Sequence, residues 1–171
     1  MKSVAILTTK SLADNEIDKL RTKLETLAWL DYSFPAVKEG LFQDGLTYPQ
    51  VYNQDGTDTH QFLVPETDVQ SFLFFEKRGY NISKDEIINN YDLRLICWLN
   101  LKKIGTYNYD FTDLLIKQVC DILKKNKCNN ISVSLENPFA SYSGIAQKNM
   151  QFLMYPYSGF AIDFTIEGQN C

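Results

Sequence analysis

Histidine is almost missing from this sequence, since His60 is the only one in 171 residues. Metal sites built from several imidazoles are therefore excluded, and histidine-based catalysis would depend on His60 alone. The 4 cysteines form no C-x-x-C pair, which excludes a zinc ribbon and a thioredoxin-like redox motif. We expect all of them to be reduced thiols without a catalytic role: Cys97, Cys120, Cys128 and Cys171.

Recognisable catalytic and phosphate-binding motifs are also missing. The sequence contains no G-x-x-x-x-G-K-[ST] loop, no G-x-G-x-x-G loop and no G-x-S-x-G nucleophile motif. Nothing in it therefore predicts nucleotide binding or a serine nucleophile. We expect a protein that is not an enzyme and that uses no cofactor and no metal.

Positive charge and long apolar runs are both scarce. The chain has 17 Lys plus Arg against 21 Asp plus Glu, a formal net charge of −4. A duplex-DNA reader needs a basic face to neutralise phosphates, so this balance argues against that function. No run approaches the roughly 20 apolar residues of a membrane span, and the apolar run Val4–Leu7 is too short for a secretory signal. We expect a chain of cytosolic origin with no membrane partner.

Aromatic residues, by contrast, are abundant, with 11 Phe, 10 Tyr and 2 Trp making 13% of the chain. A chain of 171 residues has the length of one domain and can bury about two-thirds of its surface. We predict a single α+β domain over 1–171, with an N-terminal helix and arm at 1–45 and a sheet-and-helix core at 46–168.

Two segments have the three- and four-residue periodicity of an amphipathic helix. The first lies within 11–29, and we predict Asp14 as its N-cap. The second lies within 110–125, and we predict that Asn126 takes the left-handed conformation that ends it. Each helix has one apolar face to pack.

The intervening segments alternate with the period of two that is typical of strands. Residues 31–49 are predicted to be irregular. Residues 48–64 are predicted to form a hairpin closed by a tight turn at Asp55-Gly56, and 71–77 to form a further aromatic strand.

The longest predicted strand is 91–101, which has one wholly apolar face and a second face that is apolar only at Ile96 and Trp98. The second face is therefore expected to be partly covered. A shorter strand is predicted at 131–135. The aromatic stretch 150–166 is predicted to break into two arms, or to form a bulge, near Pro156 and Ser158-Gly159.

The order of these elements favours an α+β fold. Strand runs joined by short turns indicate antiparallel or mixed pairing rather than a doubly wound parallel sheet. We predict a mixed, mostly antiparallel sheet with the two amphipathic helices packed on one face.

The densest polar cluster comprises Asn53, Asp55, Asp58 and His60. It does not fit a calcium loop, because an EF-hand needs Gly at position six and Glu at position twelve. Asp, Asn and Gly are also the ordinary residues of a solvated hairpin tip. A hydrolase of unrecognised type that uses Asp58 and His60 remains an alternative.

The aromatic side chains outnumber what the core of one sheet requires. Since Tyr, Phe and Trp are enriched at subunit interfaces, some of them are candidate inter-subunit contacts. The candidates are Tyr48, Tyr52, Phe72, Phe74, Trp98, Tyr142, Tyr155, Tyr157 and Phe160. A stacking platform for single-stranded nucleic acid would need interleaved Lys and Arg, which these segments lack.

The order helix, hairpin with a DG turn, long strand (LRLICWLNLKK), helix (FTDLLIKQVCDIL) and terminal aromatic strand (YPYSGFAIDFTIEG) resembles small virion proteins of tailed bacteriophages. The resemblance is to tail-completion, tail-terminator and head–tail connector ring proteins, and it covers 45–168. It implies an α+β fold, a six- or twelve-fold homo-oligomeric ring around the DNA channel, and no catalytic residues.

The resemblance also implies the partners. They are other copies of this chain and the neighbouring ring, portal or tail proteins of a virion that is assembled in the host cytoplasm. DNA would pass through the lumen without sequence-specific binding. A peptide-binding module that uses a free sheet edge is a further alternative.

Overall fold

The computed structural model describes residues 11–41, 45–52, 59–61, 69–82, 88–105, 110–143 and 156–169. Within these ranges the helices are α1 (Leu12–Leu24), α2 (Leu101–Ile104) and α3 (Thr112–Lys125). The strands are β1 (Tyr32–Ala36), β2 (Lys38–Leu41), β3 (Thr47–Tyr52), β4 (Thr59–Gln61), β5 (Ser71–Ile82), β6 (Ile88–Asn100), β7 (Asn129–Ser134) and β8 (Tyr157–Gln169).

The main sheet has 5 strands in the order β1-β5-β6-β8-β7. Only β1 and β5 pair in parallel, and the other neighbours are antiparallel. A second, antiparallel sheet of 3 strands has the order β2-β3-β4. The fold is therefore α+β, and the predicted mixed, mostly antiparallel sheet is confirmed.

Helix α1 begins one turn earlier than its predicted cap. Ser11 is the N-cap, because its hydroxyl accepts a hydrogen bond from the backbone N–H of Asp14 at 3.2 Å. The prediction of Asp14 as N-cap is wrong. Asp14 lies in the first turn, where the helix dipole favours a carboxylate. Both residue types cap helices well, so periodicity alone did not distinguish them.

Helix α3 ends in a Schellman motif. The N–H of Cys128 bonds to the carbonyl of Leu123, and the N–H of Lys127 to that of Lys124. The residue in the left-handed region is Lys127, with φ 61°, whereas Asn126 has φ −99°. The predicted left-handed Asn126 is thus wrong by one position.

Strand β6 lies at the centre of the main sheet and has an apolar core on each face. On one face, Leu93, Leu95 and Cys97 pack with both amphipathic helices in the helix-side core. On the other face, Ile96 and Trp98 pack in a smaller aromatic core. The predicted helices on one face and the predicted partial cover on the other are both confirmed.

Two segments are more regular than predicted. The stretch 31–49, predicted to be irregular, contains β1, β2 and the start of β3. Strand β8 runs through Ser158-Gly159 in unbroken register with β6, from Asn100↔Tyr157 to Ile88↔Gln169. The predicted interruption at Ser158-Gly159 is therefore wrong, because pairing with the central strand keeps this segment extended.

The predicted hairpin at 48–64 is present as the antiparallel pair β3–β4, with Tyr52 opposite Thr59. Its predicted turn at Asp55-Gly56 lies outside the described residues. The aromatic strand predicted at 71–77 continues to Ile82, and the long strand predicted at 91–101 is β6, which starts earlier, at Ile88.

Candidate assembly surface

The predicted contact aromatics mostly lie in the aromatic core, on the face of the sheet opposite the helices. Its buried residues include Tyr48, Phe72, Phe74, Trp98 and Tyr142. The rings of Phe72 and Trp98 stack with centroids 5.5 Å apart, and Phe74 meets Tyr142 edge-on at 6.0 Å. Such pairs stabilise a core beyond the area they bury.

The remaining candidates are divided among other environments. Tyr157 is half-buried and stacks on Trp98 at 5.3 Å, while Phe160 is fully buried in the helix-side core. Tyr52 lies in β3 and Tyr155 lies outside the described residues. An inter-subunit contact by the buried rings would first require their own cover to move away, so their inter-subunit role stays a prediction.

The cover of the aromatic core is the start of β3 together with the segment 137–143, which we call the return segment. Thr47 and Ser143 form two reciprocal hydrogen bonds. The backbone N–H of each residue donates to the side-chain oxygen of the other residue at 2.9 Å. The Thr47 hydroxyl also donates to the carbonyl of Ser141 at 3.4 Å. These bonds join parts of the chain that are far apart in sequence and hold the cover together.

A polar row crosses the sheet beside the aromatic core. Glu76 on β5 is directly opposite Arg94 on β6, which is opposite Asp163 on β8, which is opposite Ser132 on β7. Directly opposed residues of antiparallel strands project from the same face. Arg94 Nε lies 3.5 Å from Asp163 Oδ1. Opposite charges therefore alternate along the row.

Glu76 connects this row to the return segment. Its side chain is 8% exposed, Arg78 Nη2 lies 2.5 Å from its Oε2, and the Tyr142 hydroxyl donates to the carboxylate. Arg78 Nη2 also donates to Ser141 Oγ at 3.1 Å. Glu76 Oε1 has no hydrogen-bond partner among the described residues. The carboxylate is thus a buried polar link between β5 and the cover.

A β-bulge directs Arg78 toward this link. The register shifts between Lys77 and Gly79, so that Arg78 is the extra residue and Asp92 lies opposite Gly79. A bulge lets a strand point a side chain in a direction that regular pairing would not allow. The sequence did not reveal the bulge. Glu76, however, shares the parity of Phe72 and Phe74 in SFLFFEK, and this was an available signal for a carboxylate on the aromatic face.

Burial raises the pKa of Glu76, against the opposing hydrogen bond from Tyr142 and the charges of Arg78 and Arg94, while Asp163 adds to the rise. The folded protein therefore binds a proton at the Glu76 carboxyl group more tightly than the unfolded chain does. The resulting stabilisation is full below the ordinary glutamate pKa and is lost as the pH rises through the raised folded value.

We expect Glu76→Gln to abolish this pH-dependent contribution to the free energy of unfolding. The free energy of unfolding of the wild type, minus that of the variant, should fall as the pH rises from about 4 to about 8. Urea unfolding of both proteins across this range measures the difference. Tyr142→Phe removes a bond to the carboxylate and should extend the fall to higher pH. Parallel pH profiles for wild type and Glu76→Gln would contradict the expectation.

The end of the main sheet next to the bulge extends past helix α1. Lys77 Nζ lies 2.7 Å from Asp14 Oδ1, so the first turn of α1 is level with Lys77. Beyond it, residues 78–82, 88–92 and 165–169 continue as three paired strands, which we call the extension. Tyr80 on the extension is 66% exposed.

The two edges of the main sheet differ in protection. At the β1 edge, Arg21 from α1 donates to the carbonyl of Ser33 at 2.8 Å and to its hydroxyl at 3.2 Å. At the other edge, β7 pairs only with β8 in the described part of the chain. Val133 on β7 and Leu135 just after it are 43% and 57% exposed. Among the described residues, the β7 edge is therefore open, and it is partly apolar.

The polar cluster that suggested a hydrolase is mostly beyond what the structure describes. His60 lies in β4 with its backbone opposite Val51, while Asn53, Asp55 and Asp58 fall outside the described residues. No grouping of His, Cys, Asp and Glu suited to a metal occurs in the described ranges. The Asp58/His60 alternative stays untested.

The cysteines for which the structure gives a state are free thiols: Cys97, Cys120 and Cys128. Burial raises the pKa of each, that of Cys128 to about 12 and that of Cys97 well above its ordinary value. A thiol must lose its proton to act as a nucleophile, so these environments disfavour cysteine catalysis. Cys171 lies outside the described residues.

Comparison with known proteins adds no relative. The chain matches no protein-family model, no curated protein and no solved structure. Among the described helices, none is long and apolar enough to cross a bilayer.

Proposed function

We propose that this chain is a structural subunit of a homo-oligomeric ring in a tailed-bacteriophage virion, at the head–tail connector or in the tail. The observation that carries the proposal is the pair of unlike sheet edges that no other described strand covers. One edge is β7 with its exposed Val133, and the other is the outer side of β5 in the extension, with its exposed Tyr80. A closed ring needs two different complementary patches on each subunit.

The charge of the chain supports a place around the DNA channel. A net charge of −4 repels the phosphate backbone, so a ring of such subunits lets a duplex pass without binding it. The other partners would be the adjoining ring, portal or tail proteins. The ring would be assembled in the host cytoplasm and would reside in the virion.

Native mass spectrometry and negative-stain electron microscopy of the purified chain test the proposal. We expect closed six- or twelve-fold rings with a central opening when the concentration is raised from about 1 to about 100 µM, the range in which weak self-association becomes visible. A monomer throughout this range, also in the presence of candidate portal and tail proteins, would overturn the proposal.

The open β7 edge also favours a second candidate function, a module that binds an extended peptide as an added strand. This candidate function predicts that the chain alone is a stable monomer. Its β7 amides should exchange slowly only after a peptide has bound. Hydrogen exchange of the chain alone, at low and high concentration, separates the two functions. Protection of β7 that rises with the concentration of this chain alone supports the ring.

A further inference from the structure

The strands at the two open edges run in opposite directions. Strand β5 is antiparallel to β6, β6 to β8, and β8 to β7, so β7 is antiparallel to β5. A copy related by rotation about an axis along the strands keeps the strand directions. Its β5 would therefore meet β7 of the first copy as an antiparallel pair, the more stable arrangement.

The β7 edge lacks two of the features by which proteins protect an edge strand, charged residues and proline. Asn129–Ser134 contains no charged residue and no proline, whereas natural edges commonly carry one or the other. The bulge at its start, where the register shifts between Asn129 and Ser132, leaves Ser132, Val133 and Ser134 regularly paired with β8. The uncharged, regularly paired part of this edge, from Ser132 to Ser134, is suited to pairing with another strand.

The receiving edge is the outer side of β5 at residues 76–82, most of which lie in the extension. Strand β1 pairs with β5 only as far as Ala36↔Phe75, and on this side of β5 no other strand in the described ranges lies beside residues 76–82. The open part of this edge therefore begins after Phe75, whose carbonyl accepts a bond from the N–H of Val37.

The exposed apolar side chains of the two edges lie on the same face of the sheet. Val133 is opposite Ile162, which is buried in the helix-side core. Tyr80 is opposite Tyr91, which packs against that same core. When the sheet continues into a second copy, Val133 of one chain therefore faces the side on which Tyr80 of the next chain projects.

From these observations we propose that β7 of one subunit adds, antiparallel, to residues 76–82 of β5 in the next subunit. This inference rests on the proposed ring function and specifies its interface. The partner is a second copy of this chain, and the sheet becomes continuous from subunit to subunit. The contact is heterologous, as a closed ring requires.

Two single variants each block one side of this contact. Val133→Glu places a charge on the β7 side and Tyr80→Glu places one on the β5 side. Each should raise the dissociation constant of the assembly at least about 30-fold, the size of a hot-spot loss. Leu114→Glu on α3 is the matched control, because Leu114 is 54% exposed and lies on a helix rather than on either strand edge. Its assembly should be unchanged.

Mixing the two blocked variants gives the sharpest test. Val133→Glu keeps an intact β5 side and Tyr80→Glu keeps an intact β7 side, so an equimolar mixture should form one-to-one heterodimers and nothing larger. Native mass spectrometry counts them, and circular dichroism checks that each variant remains folded. A pairing of β7 with β7 would instead let Tyr80→Glu dimerise alone, which would overturn the inference.

The outcomes separate this inference from the proposed function. Rings that persist in both variants would overturn the edge pairing and leave the ring function standing. A wild type that stays monomeric would overturn both. Loss of rings in both variants, with heterodimers on mixing, would support both.

Discussion

Replacing Trp98 by Ala should lower the free energy of unfolding of the monomeric chain by about 3–5 kcal/mol, because it leaves a large cavity in the aromatic core. Trp98 is 3% exposed and its ring stacks on Phe72 and Tyr157. Urea unfolding followed by far-UV circular dichroism, at a concentration that keeps the chain monomeric, measures the loss.

The matched control for Trp98→Ala is Tyr80→Ala. Tyr80 is 66% exposed, so its removal should change the stability of the monomer by no more than about 0.5 kcal/mol. The two variants thus distinguish aromatic side chains that stabilise the folded chain from aromatic side chains that are exposed to a partner. A Trp98→Ala monomer as stable as the wild type, but unable to assemble, would assign Trp98 to the interface instead.

The second large effect is expected at Ile17 on α1, which is fully buried in the helix-side core. Ile17→Ala should cost about 2–5 kcal/mol of unfolding free energy. The loss should appear in a single transition for the whole chain, because α1 packs on the main sheet and β1 is one of its strands. Trp29 Nε1, just after α1, also donates to Gln118 Oε1 of α3 at 2.7 Å.

Coincidence of two probes tests that single transition. Tryptophan fluorescence and far-UV circular dichroism should give the same midpoint for the wild type and for Ile17→Ala. Lys19→Ala, on the solvent side of the same helix, is the control and should shift the midpoint little. An early, separate transition of α1 would instead agree with an N-terminal arm that is independent of the core.

Periodicity predicted the helices and strands whose buried faces can be recognised from the spacing of their own apolar residues. Strand β6 was recognisable because both faces alternate with a clear period of two, and α3 because its apolar residues recur at helical spacing. Strands β1 and β2 were missed because they are short and contain Pro35 and Gly40. They are stabilised by pairing with β5 and β3, which no local pattern reveals.

The candidate site was predictable only in part, for a similar reason. The sequence predicted that Ile96 and Trp98 lie on a partly covered sheet face, and both do. Which rings are covered by the chain itself depends on the return segment, which reaches the sheet from far away in sequence. Glu76 could be recognised as a buried link only from the bulge and from Tyr142, which is distant in sequence.

The position of β8 also determines the order in which this sheet is completed. Strand β7 precedes β8 in the chain, yet β8 lies between β6 and β7. During synthesis, β7 therefore emerges before its only described partner, and the outer side of β6 remains unpaired until β8 inserts. Such non-local pairing slows folding and prolongs the exposure of apolar edges to neighbouring nascent chains. Association between nascent chains through these unpaired edges would thus compete with folding.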